Sequence, residues 1–256
     1  MMRSISLDEL KQIVRANGEL DGWDFSRVHM ERAPAPWEYV DVVRTYLKPT
    51  DRVLDIGTGG GEIFLSLAPY FREGIGVDQN PAMIATARRN KSAKSIDNVS
   101  LKIMEASDLQ FDAEEFDIVL LRHLRVYASE IVRVLRPGGY FITQTVGQRS
   151  SFNILDAFGW TPASFGPDWW QPVTELADRF RAHGCHIIAQ AEYDLPCWFK
   201  DIQSFMFWLM AVPWPETIEL DKNWQNINRI LETCQTEQGI KTNEHRGLLI
   251  AQKNNI

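Results

Sequence analysis

The 256-residue sequence predicts an α/β fold in which short buried strands alternate with helices. Residues 52–56 form an apolar run that stops at a glycine cluster and is followed by a helix-compatible segment at 62–68. A second buried run, 74–78, again ends in a carboxylate and precedes a helix that begins at Pro81. The 45% hydrophobic content suits one large core, and no internal repeat is visible. We therefore expect one elaborated domain.

The other elements follow from the same patterns, taken along the chain. Apolar residues at three- and four-residue steps after a Ser-x-x-Glu capping pattern predict a helix at 6–16, and a second helix at 38–47 ends before Pro49. Further helices are predicted at 81–94 and 173–183, and strands at 99–104, 116–121, 185–191 and 245–252, with another strand closing at 143–147. Residues 148–171 carry no clear period and predict an aromatic loop. Residues 195–243 predict an insertion with helices at 201–210 and 226–237.

The glycine cluster after the first predicted strand indicates a ligand site. Glycines at 57, 59, 60 and 61 permit positive φ and close approach of a ligand to the main chain. The spacing Gly-Thr-Gly-Gly-Gly differs from the Gly-x-Gly-x-x-Gly of dinucleotide sites, and Asp55 lies two residues before the first glycine. An acidic side chain at this place suits a cationic ligand better than a phosphate.

Asp78 lies 23 residues after Asp55, at the end of the second predicted strand. A carboxylate there can accept hydrogen bonds from both ribose hydroxyls of an adenosine. Nicotinamide dinucleotide sites use the same feature, so Asp78 supports an adenosine without choosing the cofactor. The alternative is a surface Asp that caps the helix starting at Pro81.

The segment Asp-Ile-Gly-Thr-Gly-Gly-Gly-Glu at 55–62 resembles the first motif of class I S-adenosylmethionine (SAM) dependent methyltransferases. Segments 105–111, 115–120 and 134–141 are similar to further motifs of that family and come in the same order, although Glu105 stands where Asp is usual. The resemblance implies SAM as cofactor and S-adenosylhomocysteine as product. It also implies a doubly wound, Rossmann-like sheet of seven strands in the order 3-2-1-4-5-7-6, with strand 7 antiparallel and helical caps at both ends. The implied division is an N-terminal cap at 1–48, a SAM-binding core at 49–147, and a substrate-side half at 148–256.

The resemblance further implies the roles of individual residues. SAM is expected to lie on the glycine loop with its ribose at Asp78 and its adenine beside residues 106 and 107. The expected cofactor contacts are Asp55, Gly57, Thr58, Gly59, Gly61, Asp78, Gln79, Met83, Ala106, Ser107 and Arg122. The expected lid and acceptor contacts are Trp23, Phe25, Arg27, Trp37 and Gln144. The aromatic residues among them have an alternative role, which is to pin the N-terminal segment to the core.

His123 is the candidate catalytic residue, because it follows the fourth predicted strand, where open α/β sheets place their ligands. An imidazole titrates near neutral pH and can take a proton from a hydroxyl. A hydrogen-bonded structural histidine is the alternative. The chain lacks the Asn-Pro-Pro-Tyr-type motif that holds an amino nitrogen, which weighs against methylation of adenine N6 or of glutamine.

Composition limits the partners. The net charge of −7 gives no general attraction to nucleic acid, which makes a nucleic-acid substrate less expected. The leading hypothesis is methyl transfer to a small apolar or aromatic acceptor. Two alternatives stay open: RNA methylation through the basic run at 88–94, and a SAM-binding protein without catalysis. The oligomeric state is left open.

Three cysteines, Cys185, Cys197 and Cys234, lie far apart and form no metal pattern with the five histidines, which predicts a reducing compartment and no metal site. The first residues reach acids before any apolar core, and the apolar window 205–212 is shorter than the roughly 20 residues of a membrane helix. We therefore expect a soluble, cytoplasmic protein that does not enter a membrane.

Overall fold

The computed structural model describes residues 5–18, 20–166 and 169–255. Within these residues, nine strands form one sheet: β1 (Met30–Arg32), β2 (Arg52–Ile56), β3 (Glu73–Asp78), β4 (Val99–Ile103), β5 (Phe116–Arg122), β6 (Leu135–Val146), β7 (Cys185–Phe199), β8 (Gln235–Thr236) and β9 (Gly239–Lys253). The helices are α1 (Leu7–Asn17), α2 (Tyr39–Tyr46), α3 (Glu62–Leu67), α4 (Pro81–Ala93), α5 (Ala128–Val134), α6 (Phe152–Phe158), α7 (Val173–Ala182), α8 (Ile202–Ala211) and α9 (Leu220–Cys234). Short 3₁₀ turns occupy Ala68–Tyr70 and Pro162–Phe165.

The strand order is β1-β7-β9-β6-β5-β2-β3-β4, and β8 pairs with β9 alone. Strands β6, β5, β2, β3 and β4 run parallel, whereas β9 is antiparallel to both of its long neighbours, β6 and β7. Without the short strands β1 and β8, this is the expected order 3-2-1-4-5-7-6 with an antiparallel last strand. The prediction of the fold class is confirmed, and β1 and β8 are additions to it.

Strand alternation divides the core between the two faces of the sheet. Leu54 and Ile56 pack with α5 and α7 on one face, while Val53 packs with α2, α3 and α4 on the other. Asp55 has the same parity as Val53 and so shares its face. In a third apolar cluster, Leu10 of α1 meets α6, α8 and α9 against Phe199 of β7 and Ile240 of β9.

The N-terminal helix is confirmed together with its cap. Ser6 Oγ accepts a hydrogen bond from the Glu9 amide, and Glu9 Oε2 accepts one from the Ser6 amide. Leu10 is fully buried, and both backbone groups of Ile5 bond to the Asn228 side chain. Helix α1 is thus built onto the C-terminal helices α8 and α9, whereas α2 packs on the sheet.

Three predictions for the second half were wrong in their bounds. The segment expected to be an aromatic loop contains α6, whose Ile154 and Ala157 are buried in the third cluster. Strand β7 continues to Phe199 and β9 starts at Gly239, so the inserted segment is 200–238. Pro196 does not end β7, because a proline loses only its own donor and its carbonyl still accepts the Ala33 amide. Helix α9 also starts earlier than expected, at Leu220.

In the part of the chain that the structure describes, no helix has both the length and the apolar character needed to span a bilayer.

Candidate active site

The glycine loop joins β2 to α3 at the carboxyl edge of the sheet. The amides of Gly57 and Thr58 both donate to the Val77 carbonyl, at 2.8 and 2.9 Å, which ties the loop to β3. Gly57 has φ +74° and Gly59 has φ +56°, in the region that favours glycine. A Cβ placed on Gly59 would lie 2.6 Å from Trp23 Cδ1. The positive φ of Gly59 and the contact of its main chain with Trp23 therefore both favour glycine at this position.

Two other predicted cofactor contacts, Gly61 and Thr58, also have structural parts in the loop. Gly61, with φ +77°, ends the loop as the cap of α3, and its amide donates to the Thr58 carbonyl at 2.9 Å. The Thr58 side chain is buried, and its Oγ1 would lie 2.9 Å from a Cβ placed on Gly76. Its hydroxyl is therefore turned to the sheet, and Thr58 offers a ligand its backbone only.

Asp55 is a carboxylate set into the protein directly before the loop. Burial raises the pKa of Asp55 to about 7; the charge of Asp78 acts in the same direction, while Thr58 and Arg122 oppose it. A carboxyl group with a pKa near neutrality gains from a nearby positive charge, because that charge stabilises its ionised form. The position therefore favours a cationic group over an anionic one.

Asp78 is held at the end of β3 by the main chain. Its Oδ2 accepts from the Gly59 amide at 3.0 Å and its Oδ1 from the Asn80 amide at 2.9 Å. The cap of α4 is Asn80, whose side chain accepts from the Ala82 amide, so Asp78 is not the helix cap. Each carboxylate oxygen keeps a lone pair for a further donor.

Four of the predicted cofactor contacts lie around this carboxylate. Ile103 pairs with Asp78, and the Met104 amide donates to the Asp78 carbonyl at 3.1 Å, so the turn after β4 starts beside it. In that turn Ala106 is half-buried against the core and Ser107 is exposed. On the other side, Gln79 is exposed and Met83 of α4 is half-buried. The structure thus brings these four predicted residues to one edge of the sheet.

A second group lies where β5 and β6 end, and Arg122 and Gln144 are paired there in register. His123 has φ +59°, and its amide donates to the Gln144 carbonyl at 2.9 Å. The Gln144 side chain is buried between two partners: its Nε2 is 3.2 Å from His123 Nε2, and its Oε1 accepts from Trp37 Nε1 at 3.3 Å. Desolvation by the surrounding protein, with the charges of Arg246 and Arg122, holds the pKa of His123 well below its usual range. This shift favours the neutral imidazole, and His123 keeps an exposed surface toward the cavity that it lines.

The arm, residues 20–37, lies across the glycine loop. Trp23 covers Gly59, and its amide donates to Glu62 Oε1 at 2.9 Å. Asp21 accepts from Arg89 at 2.8 Å and from Thr86 at 2.9 Å, both on α4. The arm is thus fixed to both helices that flank the loop.

The residues predicted to form a lid divide into two groups. Trp23 lies against Gly59 of the glycine loop, and Trp37 donates a hydrogen bond to the Gln144 side chain. Phe25 joins Trp23 to α8, since its ring centroid lies 5.9 Å from that of Trp23 and 6.1 Å from that of Phe207, and the Arg27 guanidinium lies 3.8 Å from the Phe207 ring centroid. The alternative prediction, that aromatic side chains pin the arm, therefore describes Phe25.

A cavity of about 350 Å³ opens beside His123. Its lining is mostly apolar, and Phe165, at the end of the 3₁₀ turn Pro162–Phe165, forms part of one wall. The lining residues are His123, Leu124, Arg125, Thr145, Val146, Phe165, Gly166, Trp169 and Gln171. Of the aromatic residues expected in a loop at 148–171, Phe165 and Trp169 line this cavity, while Phe158 and Trp160 pack in the third cluster.

A cluster of charged residues around Glu244 was not predicted from the sequence. Glu244 accepts from the Tyr193 hydroxyl at 2.6 Å, from Arg32 at 2.8 Å and from Arg246 at 3.3 Å. Arg32 also pairs with Glu38 at the start of α2. The cluster joins β1, β7 and β9, and its members are too far apart in sequence to form a motif.

Gln171 was also missed. Its buried amide accepts from the Val126 amide at 2.6 Å and donates to the Val126 carbonyl at 3.2 Å, which holds the cavity wall to the start of α5. Among the described residues, no group of three or more His, Cys, Asp or Glu side chains is arranged to hold a metal ion.

Comparison with known proteins gives the same family from sequence. A family model described as a methyltransferase domain matches residues 47–233. The demethylmenaquinone methyltransferase of Symbiobacterium thermophilum is 32% identical over 189 residues, which cover 68% of this chain and 72% of that protein. YcgJ, an uncharacterized methyltransferase of Bacillus subtilis, is 36% identical over 98 residues, and the chain spans only 39% of its length in that match.

The crystal structure of YcgJ has a TM-score of 0.63 to this chain at 20% identity, and the alignment covers 84% of this chain and 98% of that one. At this level of identity the likeness shows the fold. The glycine loop between two carboxylates, the strand order and the family match agree, and the chain belongs to the class I S-adenosylmethionine-dependent methyltransferases.

Proposed function

We propose that the protein transfers the methyl group of SAM to a small, largely apolar acceptor. The observation that carries the proposal is Asp55, a carboxylate whose burial raises its pKa to about 7, directly before a loop in which Gly57, Gly59 and Gly61 all have positive φ. A cationic ligand is the partner that such a carboxylate favours. The closely covered loop and the lone pairs left on Asp78 also fit SAM.

When bound, SAM supplies a methyl group already activated by its positive sulfur. The protein's own residues then bind, orient and exclude water. Asp55 stabilises the positive charge, Asp78 accepts from the ribose hydroxyls, and Trp23 covers Gly59 against solvent. Holding an acceptor in line with the methyl group in a dry site supplies several kcal/mol of the rate gain.

The cavity beside His123 is the proposed acceptor site. Its volume of about 350 Å³ is at the small end of the range of ligand pockets, and Val146, Phe165 and Trp169 give it apolar walls. The name of the Symbiobacterium relative specifies a quinone-type acceptor, which agrees with an aromatic compound here.

RNA has less support as the acceptor. Arg88 donates to the Leu101 carbonyl at 3.2 Å and Arg89 is paired with Asp21, so half of the predicted basic run is engaged within the protein. The net charge of −7 adds no attraction to phosphates.

Labelled SAM tests the proposal, with a panel of small aromatic hydroxy compounds and tRNA as acceptors. We expect labelled product from members of the panel and none from tRNA. Val146→Trp fills the cavity and is expected to abolish methylation while SAM still binds, whereas Ile188→Trp, at an exposed position of β7, is the matched control. Methylated tRNA, or a Val146→Trp variant that keeps full activity, would contradict the proposal.

A further inference from the structure

We propose that His123 donates a hydrogen bond from Nδ1 to an oxygen of the acceptor, and that Gln144 and Trp37 hold the imidazole in the tautomer that permits this. The inference rests on the proposed methyl transfer. It narrows the acceptor to phenols and enols that bind as their anions. His123 would then be a donor to the acceptor and not a base.

The chain of hydrogen bonds fixes the position of the proton. An indole nitrogen only donates, so the atom of Gln144 that faces Trp37 Nε1 at 3.3 Å is its carbonyl oxygen. The amide nitrogen of Gln144 therefore faces His123 Nε2 at 3.2 Å and donates to it. A nitrogen that accepts carries no proton, and the proton of the neutral ring lies on Nδ1.

Nδ1 is left for a ligand. Within residues 5–18, 20–166 and 169–255 it has no hydrogen-bond partner, and His123 lines the acceptor cavity. The ring is also held from the main chain, because the His123 amide donates to the Gln144 carbonyl at 2.9 Å. An acceptor molecule in the cavity that carries an oxygen satisfies this donor.

The charges around His123 favour an anionic oxygen. Arg122 and Arg246 act on the imidazole in the same direction as its desolvation, and together these effects hold the pKa of His123 well below its usual range. The charges of the two arginines also stabilise a phenolate or enolate beside the ring, and Glu244 at 3.3 Å offsets part of the charge of Arg246. Because Nε2 is occupied by Gln144, the acceptor has to lose its proton to solvent before methyl transfer.

The step balances without a base from the protein. An electron pair of the anion forms the new bond to the methyl carbon, and the carbon–sulfur bond breaks with its pair staying on sulfur. The acceptor loses its negative charge and the sulfur its positive charge. Where a ring carbon is methylated, its proton leaves to solvent afterwards.

Nitrogen-15 NMR of the histidine side chains tests the tautomer without any turnover. His123 is assigned by its loss in His123→Asn. We expect Nδ1 protonated and Nε2 bare from about pH 6 to pH 8. In Trp37→Phe the amide of Gln144 is free to turn, and both tautomers are expected. A proton on Nε2 in the wild-type protein would overturn the proposal.

Binding of 4-nitrophenol in the presence of S-adenosylhomocysteine tests the donor itself, since the phenolate absorbs at longer wavelength than the phenol. We expect the bound probe to be ionised, with affinity reduced about tenfold or more in His123→Ala. His123→Asn is expected to restore most of it, because Asn tolerates positive φ and places an N–H near Nδ1. 4-Nitroanisole is the neutral control, and equal losses for both probes would refute the proposal.

These results are separable from the proposed function. If SAM fails to bind, the proposed function fails whatever the tautomer. If SAM binds and methyl groups are transferred while His123 carries its proton on Nε2, this inference alone fails.

Discussion

Asp55→Asn is expected to stabilise the ligand-free protein, and more so as the pH rises. Burial raises the pKa of Asp55 from 3.8 to about 7 in the folded state. Between these values the folded protein holds a proton that the unfolded chain has lost, so stability falls as the pH rises through this window. At about 1.36 kcal/mol for each pH unit, the cost at pH 8 is on the order of 4 kcal/mol, and at pH 5 it is less than half of that. Asparagine keeps the shape without the charge.

Urea denaturation at pH 5 and at pH 8 measures this difference in the free energy of unfolding. We expect Asp55→Asn to unfold at higher urea than the wild type at pH 8, with a clearly smaller gain at pH 5. Asp41→Asn removes an exposed carboxyl of α2 and is the control. Equal gains in unfolding free energy at both pH values, or a loss at pH 8, would refute the claim that burial raises the pKa of the Asp55 carboxyl group.

The same ionisation governs binding of a cation. The affinity of the wild type for SAM is expected to increase with pH up to about 7, because only the ionised Asp55 attracts the ligand, and this dependence should be absent in Asp55→Asn. Titration calorimetry at several pH values measures it. Asp55→Asn is therefore expected to have a higher free energy of unfolding and a lower affinity for SAM than the wild type.

Three further changes test other parts of the structure. Gly59→Ala places a Cβ 2.6 Å from Trp23 at positive φ, and we expect it to lower the free energy of unfolding by about 1–3 kcal/mol and to remove most of the SAM affinity. Gly159→Ala is the control, because Gly159 has a similar φ but open space around it. Thermal unfolding and calorimetry of this control should show a loss of stability without a loss of SAM affinity. Asp78→Ala removes the acceptor of two backbone amides and of the ribose, and calorimetry should show at least a tenfold loss of SAM affinity; unchanged affinity would remove Asp78 from the site. Leu10→Ala opens a cavity between α1 and the C-terminal helices and should lower the free energy of unfolding by about 2–5 kcal/mol in urea, and a change below 1 kcal/mol would mean that the third cluster does not hold the N-terminal helix.

The sequence predicted the glycine loop and its carboxylates because their information is local. A buried strand, a run of glycines and a helix follow one another at 52–67, and Asp78 ends the next strand. The capping box of α1 is local in the same sense.

Long-range contacts escaped prediction. Gln171 holds the cavity wall through hydrogen bonds to the backbone of Val126, and no sequence pattern indicates a contact between residues 45 positions apart. Tyr193, Glu244 and Arg246 meet only because β7 and β9 pair along their full length. The short apolar stripe of α6 becomes recognisable once the third cluster is known to cover it.

The role of His123 shows the same limit. Its residue type and its place after the fourth strand suggested a base, yet the tautomer depends on Gln144 and, through it, on Trp37, which lies 107 residues before Gln144 in the sequence. Because the decisive neighbour comes from the arm, only the folded structure favours a donor.

Titration calorimetry of the wild-type protein with SAM, and separately with NADH, tests the central claim most directly. A cationic cofactor lying on the glycine loop beside Asp55 predicts saturable binding of SAM at one site per chain, and no heat from NADH. Binding of NADH without binding of SAM would contradict the account.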